Sequence, residues 1–170
     1  MKHPISRYTA VLLFCLLPSV LLTAQQLKPG LVDAENLKRV VPPSYFFRGQ
    51  SATVQLRNSA GFSTSDGKLV LAGLVDTAGY ASEVAAKYQG FLITEVKLAI
   101  EGTELAPGEY GFGFSKDGKF TVMDVGADDL FTVSAQMDEK LVHPVPLKMV
   151  PGDNGYRLCA GRKWVHLKAQ

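Results

Sequence analysis

The stretch PGEYGFGFSKDGKF, Pro107 to Phe120, constrains the fold more than any other part of the chain. Tyr110, Phe112 and Phe114 alternate with Gly111 and Gly113, so side-chain bulk repeats with a period of two. A strand turns that period into one face of rings and one bare face, whereas a helix would scatter the rings around its axis. The glycine spacing would also suit a phosphate-cradling loop, but such a loop must run into a helix whose first amides meet the anion. Here Asp117-Gly118 follows, and Phe120-Thr-Val-Met-Asp-Val resumes a strand pattern. A two-residue turn at that point would set Lys116 against Lys119, a like-charge pair. A three-residue turn, Lys116-Asp117-Gly118, instead pairs Phe114 with Phe120 and Phe112 with Val122. This register predicts a core face of Tyr110, Phe112, Phe114, Phe120 and Val122. The opposite, wetter face would carry Gly111, Gly113, Ser115, Lys119, Thr121 and Met123.

The rest of the chain reads in the same way. Ala52–Arg57 alternates, Asn58-Ser59-Ala60-Gly61 is a cluster of turn formers, and Lys68–Val75 is an apolar run suited to a strand buried on both faces. Phe91–Ile100 is read as a further strand, followed by Phe120–Val125, Leu130–Ala135 and Leu147–Val150. The one helix expected within the domain lies around 80–89, with Tyr80, Val84 and Tyr88 on a single stripe and Gly90 at its stop. Asp33–Val41 reads as a short capped helix ended by Pro42-Pro43. About eight short strands and one short helix predict a mainly β fold, a single antiparallel β-sandwich or partly open barrel.

Before residue 25 the pattern is different. Lys2, His3 and Arg7 precede an apolar run from Ala10 to Leu22, and Leu22-Thr23-Ala24 places a small residue at a cut. This is the layout of a secretory signal peptide over residues 1–24, with a run shorter than the roughly 20 residues that span a bilayer. Cleavage would leave a lead-in of residues 25–44 and one β-rich domain over 45–170, exported to the periplasm or beyond. A retained anchor is the alternative. The chain has 18 Lys and Arg against 16 Asp and Glu, and Lys2 and Arg7 would leave with the leader. The remaining charges balance and form no long basic run, which argues against nucleic acid or an anionic membrane as a partner. Cys15 would also leave, so Cys159 has no intramolecular partner for a disulfide.

Gly102-Thr-Glu-Leu105-Ala-Pro107-Gly108-Glu-Tyr110 forms a G-x-x-L-x-P-G-x-Y element. It resembles the element found in small secreted bacterial β domains of unknown function, over roughly Thr94 to Phe120. The resemblance implies a secreted antiparallel β fold and carries no activity.

The densest cluster of recognition-capable side chains lies near the C-terminus. A two-residue turn at Gly161-Arg162 pairs Cys159 with Trp164, Leu158 with Val165, Arg157 with His166 and Tyr156 with Leu167. One face of this hairpin is apolar, and the other carries Arg157, Cys159, Trp164 and His166, the candidate binding residues. Trp and Arg are favoured contact residues, and His titrates near neutrality. Cys159 and His166 fall diagonally, so a nucleophile pair is the weaker alternative. No catalytic residue, cofactor or metal is assigned. His143 and His166 lack metal-ligand spacing, and Asp124, Asp128 and Asp129 offer oxygens to calcium from a turn that also forms without metal. Gly61-Phe-Ser63-Thr-Ser65 lacks the last glycine of a serine elbow. The resulting expectation is a non-enzymatic exported binding or envelope-associated module with a protein or small-molecule partner. Its alternatives are an apolar-ligand carrier lined by Phe112, Phe114 and Phe120, and an enzyme using Cys159 or the Asp124–Asp129 turn.

Overall fold

The computed structural model describes residues 27–170. In chain order the elements are β1 (Gly30–Leu31), α1 (Ala34–Val40), β2 (Ser44–Phe47), β3 (Gln50–Ser63), β4 (Leu69–Val75), α2 (Ser82–Lys87), β5 (Gly90–Thr94) and β6 (Leu98–Ile100). They continue with β7 (Thr103–Leu105), β8 (Gly108–Phe114), β9 (Lys119–Met123), β10 (Asp129–Ser134), β11 (Gln136–Met137), β12 (Val145–Gly152), β13 (Gly155–Gly161) and β14 (Lys163–Ala169). An eight-stranded sheet runs β1-β3-β4-β5-β8-β9-β10 with β2 paired to β3, and a six-stranded sheet runs β12-β13-β14-β6-β7 with β11 paired to β14. All pairings are antiparallel, as a β-sandwich of short strands requires. The leader expected over residues 1–24 lies outside the described residues.

The β8–β9 hairpin has the predicted register, with Phe114 opposite Phe120 and Phe112 opposite Val122. Ser115 N donates to Lys119 O at 2.9 Å. Gly118 takes the left-handed conformation (φ +76°) that a three-residue turn needs and glycine adopts without steric cost. Phe112, Phe114 and Phe120 pack on one another with centroids 4.7–6.3 Å apart and join Leu98, Leu158 and Val165 in the core between the sheets.

The opposite face of β8 is not wet, contrary to expectation. A second core covers it, built from Tyr45, Phe47, Val54, Leu71, Val84, Tyr88, Phe91 and Met123. Phe47 stacks on Tyr88 at 3.8 Å and lies directly over Gly111. The carbonyl of Lys87, at the end of α2, rests on Gly113 where a Cβ would stand. The two glycines therefore let a second layer seat against the backbone of β8. The apolar run within Lys68–Val75 is buried on both faces, as its pattern predicts: within β4 Val70 and Ala72 enter the first core while Leu71 and Val75 enter the second.

Several boundaries differ from the sequence reading. Both helices read from the sequence are present, α1 within Asp33–Val41 and α2, shortened to Ser82–Lys87, within 80–89. Asp33 caps α1 by accepting the Asn36 amide at 2.9 Å. Gly90 is not a helix stop but a strand residue pressed against the Gly73 carbonyl. Within the lead-in read as residues 25–44, Gly30–Leu31 and Ser44 pair into the larger sheet, with Gly30 opposite Ser63 and Ser44 opposite Thr53, and α1 lies between them. Asn58–Gly61 forms no turn, because β3 runs through it with a bulge between Val54 and Ser59. There the Asn58 side chain donates to Gln55 Oε1 at 2.8 Å and Ser59 Oγ to Gln55 O at 3.3 Å. Polar side chains that commonly close turns here satisfy a kink within a strand. The expected strand Phe91–Ile100 breaks at Glu95–Lys97, where the chain crosses from one sheet to the other. Thr94 Oγ1 turns back to Val96 O at 2.6 Å, and Glu95 accepts the Leu69 amide at 2.7 Å.

The G-x-x-L-x-P-G-x-Y element is the return crossing. Glu101 and Gly102 make the left-handed turn into β7, Leu105 plugs the core, and Pro107-Gly108 leads into β8. Tyr110 then donates its hydroxyl back to Ala106 O at 3.0 Å. A tyrosine closing on its own upstream backbone locks a sheet-to-sheet corner in other β-sandwiches too.

Candidate functional site

The terminal hairpin also has the predicted register: Cys159 faces Trp164, Leu158 Val165, Arg157 His166 and Tyr156 Leu167. Gly161 (φ +62°) supplies the left-handed first turn position. Because β14 lies inside its sheet, two rows of side chains cross the outer face. Lys148, Cys159, Trp164 and Gln136 form one row. Val150, Arg157 and His166 form the next, and the Glu101 carboxylate accepts the His166 amide at 2.8 Å at its end.

The Arg157 guanidinium lies 4.3 Å from the centroid of the half-exposed Trp164 ring. This cation–π contact occupies one diagonal of the four-residue square, and the strand twist that closes one diagonal opens the other. Cys159 and His166 occupy the open diagonal and are engaged elsewhere. The His166 Nε2 is 2.8 Å from Asp153 O, and among the described residues the Cys159 thiol has only Arg157 O as a partner, at 3.9 Å. Burial pushes the Cys159 thiol up, with Lys148 and Arg157 opposing the shift only in part. A nucleophilic cysteine needs its thiolate held down and a base beside it. This arrangement supplies neither.

A hollow of about 70 Å³ opens beside Trp164, lined by Lys148, Arg157, Cys159 and Arg162 among others. The Arg162 Nε donates to Leu141 O at 3.1 Å, which ties the 138–144 loop to the rim. Lys148 and Arg162 extend the candidate cluster beyond the four residues read from the hairpin alone. A tight turn at Pro151–Gly155 fixes a register that carries Lys148 to Cys159, so the signal for Lys148 lay in prolonging the ladder by one strand.

The remaining candidates are otherwise engaged. Asp124 Oδ1 accepts the amides of Gly126 and Asp128 at 2.8 and 3.0 Å, and Asp129 pairs with Lys87 at 2.6 Å. Among the described residues, no three His, Cys, Asp or Glu side chains converge as a metal set. Ser63 is buried at the end of β3, and among the described residues its hydroxyl bonds only to its neighbour Thr64 O, at 3.4 Å. The hydroxyl of Tyr80 is 3.2 and 3.3 Å from the carbonyls of Phe47 and Gln50, pinning α2 to the β2–β3 hairpin. Phe112, Phe114 and Phe120, the lining proposed for a carrier, are spent on the inter-sheet core.

Among the described residues no helix is long and apolar enough to cross a membrane. No family model matches the chain, no curated protein matches it significantly, and no solved structure does so either.

Proposed function

We propose that this protein is an exported, non-enzymatic binding module whose contact surface is the outer face of the six-stranded sheet around Trp164. The observation that carries the reading is the Arg157–Trp164 stack across two paired interior strands, β13 and β14. Side chains of this kind, held in place before a partner arrives, lose little entropy on binding. Arg and Trp are also the residues that most often dominate contact energetics. Export is supported by the leader pattern of residues 1–24 and by the resemblance of the Gly102–Tyr110 element to secreted β domains. Among the described residues Cys159 forms no disulfide, and two cores, one on each face of the larger sheet, supply the stability that setting requires.

Trp164 is the only tryptophan in the sequence, so its emission reports on this face alone. The test is a titration of the purified protein with soluble cell-envelope fragments and small organic ligands, followed by melting temperature and Trp164 emission together. A ligand that raises the melting temperature and moves the emission, and loses both effects in Trp164→Ala, supports the reading. A ligand that raises the melting temperature equally in parent and variant places binding elsewhere and refutes it. Intact mass of the exported protein tests the leader, with an N-terminus at Gln25 expected.

A further inference from the structure

We infer that the hollow beside Trp164 is an oxyanion subsite that takes a carboxylate or phosphate group of the ligand. This rests on the reading of the surrounding sheet face as the contact surface. Three cations, Lys148, Arg157 and Arg162, line the hollow against one carboxylate, Asp138. The ion pairs among the described residues all lie elsewhere, at Lys38–Glu35, Lys87–Asp129 and Lys97–Glu104. Neither the Arg157 guanidinium nor the Lys148 ammonium donates a hydrogen bond to any described residue, so both keep their donors for a ligand. The stack on Trp164 holds Arg157 in place, and the bond to Leu141 O holds Arg162, while the remaining guanidinium donors of each stay available. Asp138 spends one oxygen on the Lys140 amide at 3.1 Å. The floor adds no negative charge, because burial keeps the Cys159 thiol protonated.

Size narrows the ligand further. A volume of about 70 Å³ holds one small charged group. A whole organic ligand needs roughly 300 Å³ or more. One anionic group therefore enters the hollow and the remainder lies over the open sheet face.

The experiment is an NMR titration of the ¹⁵N-labelled protein with sodium acetate and sodium phosphate, at ionic strength held constant with sodium chloride. The inference expects a saturable shift of the single indole signal and of the Cys159 amide with at least one of the two oxyanions. Chloride alone should not reproduce it. Acetate against phosphate separates the two sources of the group. Lys148→Gln and Arg157→Gln should each weaken the apparent affinity roughly tenfold, as expected for loss of a charge-assisted contact. Lys148→Gln keeps the test valid if the stacked arginine proves necessary for folding. No saturable shift with either ion overturns the inference, and so does a shift that both variants retain, since that is an adventitious ion only. If neither oxyanion gives a saturable shift while a neutral ligand still moves Trp164, the contact face stands and the oxyanion subsite falls.

Discussion

Gly113→Ala puts the seating of the second layer to a quantitative test. The added methyl points at the carbonyl oxygen of Lys87, a backbone atom that cannot turn aside without moving the end of α2. Gly113 has an ordinary strand conformation, so the substitution strains no dihedral, and the reduced freedom of the unfolded chain alone would stabilise by about 0.4–1 kcal/mol. Against that stands an overpacking cost of about 1–3 kcal/mol. If α2 lifts away to relieve the clash, burial of Val84 and Tyr88 is lost, at about 1.5–3 kcal/mol each. The net expectation is a loss of about 2–3 kcal/mol, which for a domain of this size lowers the melting temperature by roughly 5–10 °C. Thermal and urea melts followed by circular dichroism and Trp164 emission measure it. Gly111→Ala should cost less, because its obstacle is the ring of Phe47, which can shift, although its stack on Tyr88 opposes this. Gly79→Ala is the control, since its methyl meets only Gln50 Oε1 at 3.7 Å, and it should stay within about 0.5 kcal/mol of the parent. A Gly113→Ala protein that melts with the parent or above it would show that α2 does not seat on β8 as described.

Three further outcomes are expected. Tyr110→Phe removes the hydroxyl that closes on Ala106 O and should cost about 1 kcal/mol, read as a lower urea midpoint with an unchanged slope. Burial pushes the phenols of Tyr45 and Tyr88 well above their ordinary range. Because the folded state holds these protons more tightly, that stability is complete below about pH 10 and drains away as pH rises further. Phenolate absorbance should therefore show at least these two tyrosines ionising only as the fold opens; smooth ionisation in a folded chain would contradict their burial. Cys159 should react with a thiol probe at neutral pH at least about tenfold more slowly in the native protein than in urea, and equal rates would overturn its placement beneath the outer face.

The two hairpins were legible because their registers are set locally. Asp117-Gly118 and Gly161-Arg162 each admit one favourable turn, and the period-two pattern then assigns every side chain to a face. What Gly111 and Gly113 touch was not legible, since bare positions in a strand read alike whether they face water or a neighbouring layer. Their neighbours, Phe47 and Lys87, are set by folding over a distance that no local pattern encodes. Asn58–Gly61 misled for a related reason: Asn and Ser bond to nearby backbone equally well in a turn and in a bulge. At the candidate site the hairpin showed four residues in correct apposition. Lys148 and Arg162 joined them only once the flanking strand and the 138–144 loop were in place. The Arg157–Trp164 contact depends on which diagonal the sheet twist closes, a property of three dimensions that pairing alone leaves open.

The position of β14 carries a kinetic consequence. This last strand is flanked by β13 on one side and by β6 and β11 on the other. Its partner β13 is adjacent in sequence and can zip up at once, but β6 is synthesised long before and must wait with an open edge. Pairings that span so much chain pay their loop-closure entropy before they gain contacts, which makes them slow. Docking of the terminal hairpin onto Leu98–Ile100 is then the expected late step of folding. Until it occurs, the Trp164 face has no finished sheet to rest on, so recovery of native Trp164 emission during refolding would time the closure of the smaller sheet.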